Sequence, residues 1–186
     1  MLDWLNQWEI GILDGIQDLF RCGFLDVIVP IFTFFGNAGW IWIVISVLLM
    51  AFRKHRKAGI TLAVGLIGQL LVCNLLLKNL IARDRPCWLV EDVELLVDLP
   101  SDYSFPSGHT MVCFIAATIL ALYNRKWGYI AFPVAVLMGF TRLYLYVHFP
   151  TDVVGGAILG VLLGVAVTLL MRRFFELLEK KYAIHL

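Results

Sequence analysis

Charge is scarce in this chain. Asp, Glu, Lys and Arg make up 16% of its 186 residues, whereas 61% are hydrophobic and the mean hydropathy is +0.85. A soluble domain holds roughly 25% charged and ~45–50% apolar residues. A water-soluble core of this size cannot hide that much apolar surface, so lipid must solvate part of it. The first twenty residues contain Asp3, Glu9, Asp14 and Asp18 but no Lys or Arg, the wrong charge for the n-region of a secretory signal peptide. The four cysteines, Cys22, Cys73, Cys87 and Cys113, lack metal-ligand or redox spacing. Cys73 and Cys113 fall inside apolar runs and read as small core residues, while a Cys22–Cys87 pairing stays open. Clustered carboxylates suited to Mg²⁺ or Zn²⁺ are also missing, so neither metal nor cofactor is expected.

What the chain has is long apolar runs. Crossing the ~30 Å hydrocarbon layer takes roughly 20 apolar residues in a helix. Runs at 58–77, 128–147 and 153–171 meet that length, 108–123 is shorter, and 26–52 is interrupted by Gly36-Asn37-Ala38-Gly39. The interrupted run reads either as one broken span or as a shallow helix followed by a span. In residues 1–21, Asp3, Asn6, Gln7, Asp14, Gln17, Asp18 and Arg21 fall near one helical stripe, with Trp4, Leu5, Trp8, Ile12 and Ile16 largely elsewhere. That is the pattern of an interfacial helix, and a sixth crossing stays open if it joins the run up to Phe35. The expected fold is all-α, one membrane-embedded domain over 1–186: a polytopic bundle of five spans plus an N-terminal amphipathic helix, six helices in all.

Basic residues cluster at 53–57, 125–126 and 172–181, which fall on one side if each span crosses once. The positive-inside rule makes that side the cytoplasm of a plasma-membrane protein, with the C-terminus inside. The acidic loop over 78–106 and the short loop 148–152 then face outward. Four cations outside the clusters, Lys78, Arg83, Arg85 and Arg142, gather at that outer face. Lys78 and Arg85 are seven apart and share a helical face if the helix persists that far. Arg142 lies inside an apolar run, where a cation is costly and commonly faces a cavity.

Two further segments reach the same face. In Pro106-Ser107-Gly108-His109, Ser107 suits an N-cap and Gly108 lets backbone approach a ligand, so the helix start can bind an anion. In the third, Pro150 starts the last span and puts Asp152 in its first turn, four residues after His148. An Asp bonded to imidazole Nδ1–H leaves Nε2 able to attack. Each feature alone is explained by capping or snorkelling; their convergence from three segments on one face argues for phosphoryl transfer.

The run Lys78-(six)-Arg85-Pro86, then Pro106-Ser107-Gly108-His109, then Thr141-Arg142-(five)-His148-(three)-Asp152 resembles the three-part signature of the type 2 phosphatidic acid phosphatase superfamily. Thr141 stands where that family usually has serine. The resemblance implies His148 as nucleophile, Asp152 as its orienter and His109 as acid and then base. It implies that Lys78, Arg85, Ser107, Gly108 and Arg142 hold the phosphoryl oxygens without a metal. It leaves Arg83 without a role. The expected partners are a lipid phosphate or diphosphate and membrane lipids, with no nucleic acid. Within the family the chain resembles bacterial undecaprenyl-diphosphate phosphatases, with phosphatidylglycerophosphate or phosphatidic acid phosphatase as the alternative. A non-catalytic lipid- or anion-binding membrane protein is the reading from another class.

Overall fold

The computed structural model describes residues 3–36, 39–90 and 93–182, all helix or irregular loop. Asn37 and Ala38 of the expected interruption, and Glu91 and Asp92 of the acidic loop, lie outside the described residues. The helices are α1 (Asp3–Phe20), α2 (Gly23–Gly36), α3 (Trp40–Ala51), α4 (Arg56–Gln69), α5 (Lys78–Ile81), α6 (Pro86–Leu89), α7 (Gly108–Tyr123), α8 (Arg125–Tyr144) and α9 (Pro150–Tyr182). Between α4 and α5 the chain winds through Leu70–Leu77 as a wide π-helix. Such segments recur at functional sites, and this one delivers Lys78.

The apolar run 26–52 is therefore two helices, α2 and α3. By length and hydropathy, two stretches among the described residues can cross a membrane, Arg53–Leu89 and Pro150–Lys181. A third counts if α1 and α2, bent 120° at their break, form one span; α3 and α7 are shorter apolar helices.

Helix α7 is largely apolar on all sides, and such a helix is covered either by protein or by lipid. It forms the centre of the bundle: Met111, Ile115, Ala116 and Ile119 are fully buried, packed with Leu62 of α4, Ala135 of α8 and Val167 of α9. Cys73 and Cys113 join this core, as their surroundings suggest. Helix α9 reaches α7 through glycine. A Cβ on Gly156 would stand 2.7 Å from the Ser107 carbonyl oxygen, and one on Gly160 2.7 Å from that of Met111. Large side chains turn outward on the other faces, among them Val136, Leu137, Ile158, Leu162 and Leu170, as a lipid-solvated surface requires.

The N-terminal helix is amphipathic, and several of its polar residues, Asn6, Glu9, Asp14 and Gln17, bond to the rest of the protein, while Gln7 and Asp18 are exposed. Gln17 donates to the Tyr144 carbonyl at 2.6 Å, and Asp14 accepts from the Tyr146 hydroxyl at 2.7 Å. Trp4 and Trp8 are exposed, while Leu13 and Glu9 are fully buried. Helix α1 thus lies across the α8–α9 loop, the loop that carries His148.

Candidate functional site

Three segments meet at the N-terminal end of α7. In the first, Ala82 takes left-handed backbone at φ 48 and ends α5. The helix that would have put Lys78 and Arg85 on one face stops four residues after it starts, and Arg85 becomes the extended residue before α6. The two cations converge by another route, the Asp102 carboxylate. Lys78 donates to Oδ2, and Arg85 Nη2 donates to Oδ1 at 2.6 Å. Burial works to raise the Asp102 pKa, but hydrogen bonds and charge from Lys78 and Arg85 outweigh it and hold it at about 2.

The second segment begins α7. Ser107 precedes the helix, but its hydroxyl pairs with the Thr110 hydroxyl at 3.0 Å and does not cap the backbone. Its N–H donates to the Asp152 carbonyl at 3.1 Å and ties α7 to α9. A Cβ added at Gly108 would make ordinary contact with Gln69, Asn74 and Cys73, the nearest atom 3.5 Å away, and Gly108 lines a cavity. His109 follows in the first turn.

The third segment is the α8–α9 loop. Tyr146 adopts φ 60, a left-handed conformation that a bulky side chain rarely takes, and Val147 N–H bonds back to the Arg142 carbonyl at 3.2 Å. This tight, buried turn fixes His148, which is 1% exposed. Arg85 Nη1 lies 3.2 Å from His148 Nε2. Arginine can only donate, so Nε2 accepts and the imidazole proton sits on Nδ1. Burial, then the charges of Arg85, Arg142 and Lys78, push the His148 pKa well below the ordinary histidine range. The imidazole is neutral, with a lone pair at Nε2.

Asp152 is fully buried in the first turn of α9. Its Oδ2 lies 3.6 Å from His148 Nδ1, longer than the direct bond expected from the spacing. The Ser104 hydroxyl donates to that same Oδ2 and lies 3.4 Å from Nδ1. Arg142, buried in α8, donates to the Thr33 hydroxyl of α2 at 3.3 Å, and its Nε has no hydrogen-bond partner among the described residues. Thr141 keeps its hydroxyl on Thr33 and the Met138 carbonyl.

A cavity of about 610 Å³ brings together Lys78, Arg85, His109, Arg142 and His148, with Asp102 on its wall. A second, of about 550 Å³, shares Lys78, Asp102 and His109 and runs between α3 and α4 past Gly108, Ile43, Val47 and Met50. Asp152 and Ser107 stand behind these walls. Sequence reasoning missed Asp102 and Ser104 as site residues; proximity to the Pro106-Ser107-Gly108-His109 run was the one available signal.

A family model described as the PAP2 superfamily matches residues 58–176. An undecaprenyl-diphosphatase from Sulfolobus acidocaldarius is 38% identical over 122 residues, 65% of this chain and 59% of that protein. The chain therefore spans less than two thirds of that relative. Undecaprenyl-diphosphatase BcrC from Bacillus subtilis is 30% identical, across 83% of this chain and 77% of that one. Among solved structures, the transmembrane PAP2-type phosphatidylglycerolphosphate phosphatase of Bacillus subtilis superposes with a TM-score of 0.73 at 29% identity. The match covers 94% of this chain and 87% of the other.

Proposed function

Because the chain belongs to the PAP2 superfamily, we propose that it is a membrane lipid phosphatase that works through a phosphohistidine on His148, with undecaprenyl diphosphate as substrate. One observation carries this reading: a neutral imidazole with an accepting Nε2 at a cavity walled by Lys78, Arg85 and Arg142. In this mechanism Nε2 attacks phosphorus, the bond from phosphorus to the leaving oxygen breaks, and His109 protonates that oxygen. His109 then takes a proton from water, the water oxygen attacks phosphorus, and the P–N bond breaks. Phosphate departs and His148 is restored. Lys78, Arg85 and Arg142 hold the phosphoryl oxygens, together with Gly108 at the start of α7, while Ser107, with its N–H on the Asp152 carbonyl and its hydroxyl on Thr110, anchors that helix start behind them. Three fixed cations supply the charge that a metal ion would otherwise supply.

Around this site we place five crossings: the α2–α3 pair, the stretch from α4 through α5, α7, α8 and α9, with α1 at the interface. The basic clusters sit in the cytoplasm and the site opens outward. The apolar cavity that reaches His109 suits a substrate with a long hydrocarbon chain. The names of the two sequence relatives favour a polyprenyl diphosphate. Likeness to the phosphatidylglycerolphosphate enzyme supports a second reading, a glycerophospholipid phosphate.

Phosphate release by the purified protein, measured against polyprenyl diphosphates and glycerophospholipid phosphates, tests the choice. The highest kcat/KM is expected for undecaprenyl diphosphate. Faster turnover of phosphatidylglycerophosphate would favour the second reading. Binding without release from any substrate would make the chain a non-catalytic lipid binder.

A further inference from the structure

Behind Asp152 lies a second buried charge that the mechanism above does not use. Arg83 follows the left-handed turn at Ala82 and is 9% exposed. Its Nη1 donates to Asp152 Oδ1 and to the Thr151 hydroxyl, both at 2.7 Å. Its Nη2 donates to Glu9 Oε2 at 2.5 Å and to Asn6 Oδ1 at 2.8 Å, both on α1. The other oxygen of fully buried Glu9 accepts from the Thr151 N–H at 2.7 Å. The guanidinium lies 4.1 Å from the centre of the Phe149 ring. The Arg83 carbonyl accepts from the Ser104 N–H at 2.8 Å, and Ser104 in turn donates its hydroxyl to Asp152. One residue thus holds Asp152 by its side chain and, through Ser104, by its backbone.

We infer that Glu9 and Arg83 are positioning residues for the His148–Asp152 pair, and that α1 completes the site by supplying the charge that keeps Asp152 available to the imidazole. This rests on the reading of His148 as nucleophile. Asp152 Oδ1 takes Arg83, and Oδ2 takes the Phe149 N–H at 2.8 Å and the Ser104 hydroxyl, so three donors hold it as a carboxylate. Arg83 alone would neutralise that carboxylate just when the imidazole needs it. Attack through Nε2, with a proton on Nδ1, leaves the ring positively charged. Glu9 takes up the Arg83 charge, so the buried trio carries one net negative charge to set against the cationic ring. A buried guanidinium with a single carboxylate would have sufficed for packing; the second carboxylate is what the imidazolium requires.

The test uses the full-length protein in detergent micelles with farnesyl diphosphate as probe, following kcat, KM and the acidic limb of kcat/KM. Arg85, Lys78, Asp102, Ser104, His109, Arg142 and Asp152 face His148 and remain in place in every variant. Glu9 favours the protonated ring, so Glu9→Gln should move the acidic limb to lower pH. It should also lower kcat by about 10- to 100-fold with little change in KM, by analogy with the outer-shell partners that orient a metal-bound imidazole. Arg83→Met removes a cation and should move the limb to higher pH. Arg83→Lys keeps the charge and should lower kcat with the limb in place. A purely structural role would lower Tm and leave the limb where it was, and that result overturns the inference. If Glu9→Gln does not accumulate, the Arg83→Met limb decides alone, and an unmoved limb again overturns it. His148→Ala is run alongside. Turnover in that variant would defeat the phosphohistidine reading itself, whereas a dead His148→Ala with unmoved limbs defeats only the role of Glu9 and Arg83.

Discussion

Asp102 is the most informative single residue to change. Its carboxylate takes the hydrogen bonds of Lys78 and Arg85 Nη2 that an incoming phosphoryl group would need, so substrate must compete with it. Two unit charges about 4 Å apart interact by about 4 kcal/mol at an effective dielectric near 20. The Asp102 side chain is 55% exposed, so solvent screening reduces this to about 1 kcal/mol. Removing the charge should then tighten oxyanion binding by about fivefold. Arg85 would stay oriented, because its Nε still donates to the Asp102 carbonyl at 2.6 Å and its Nη1 to the Val147 carbonyl at 2.7 Å. The assay is inhibition of phosphate release by orthovanadate, comparing Ki for wild type and Asp102→Asn. Because the Asp102 pKa is about 2, its charge is constant throughout any assay above pH 4, and the wild-type Ki should not titrate through this group. An unchanged or weaker Ki in Asp102→Asn would refute the idea that this carboxylate competes with phosphate.

Three other outcomes follow from the same geometry. His109→Ala should slow phosphoenzyme formation by ~10²–10⁴-fold with a lipid monophosphate, whose alkoxide needs a proton. It should slow it far less with p-nitrophenyl phosphate, and equal losses in single-turnover kinetics would make His109 a phosphate binder. Gly160→Val sets a branched side chain against the Met111 carbonyl and the Phe114 Cβ, contacts of 2.7 and 2.8 Å for the Cβ alone. It should cost about 1–3 kcal/mol, read as a lowered Tm in detergent, and a wild-type Tm would contradict the tight α7–α9 packing. EDTA should leave activity intact, since Lys78, Arg85 and Arg142 provide the charge; loss that Mg²⁺ restores would show that a metal is required.

The parts of the site that were legible in the sequence are those with local spacing. His148 and Asp152 sit across one helical turn, Pro150 starts α9, and His109 follows a helix start, so a few residues of context fix each. The all-helical class was legible because long apolar runs leave a membrane chain few other ways to satisfy its backbone. Lys78 and Arg85 meet on Asp102, not on the helical face that they would share if the helix persisted. Their heptad spacing promised a shared helical face, but the left-handed Ala82 ended the helix and Asp102 joined them. Nothing local marks Asp102 as their bridge. Glu9 was less visible still: its partner Thr151 is 142 residues away, and the contact exists only because α1 folds across the α8–α9 loop. The interruption at Gly36-Asn37-Ala38-Gly39 was visible as a glycine-rich stretch, but its Asn37 and Ala38 lie outside the described residues, and α2 ends at Gly36 while α3 starts at Trp40.

The proposed reaction turns on a covalent bond from His148 Nε2 to phosphorus. The most direct measurement is to mix purified protein with undecaprenyl diphosphate labelled in its terminal phosphate, quench within a single turnover, and map the labelled peptide. The expected result is an acid-labile, alkali-stable label on the peptide carrying His148, lost in His148→Ala and accumulating in His109→Ala. Label on a carboxylate or hydroxyl residue, or wild-type turnover by His148→Ala, would contradict it.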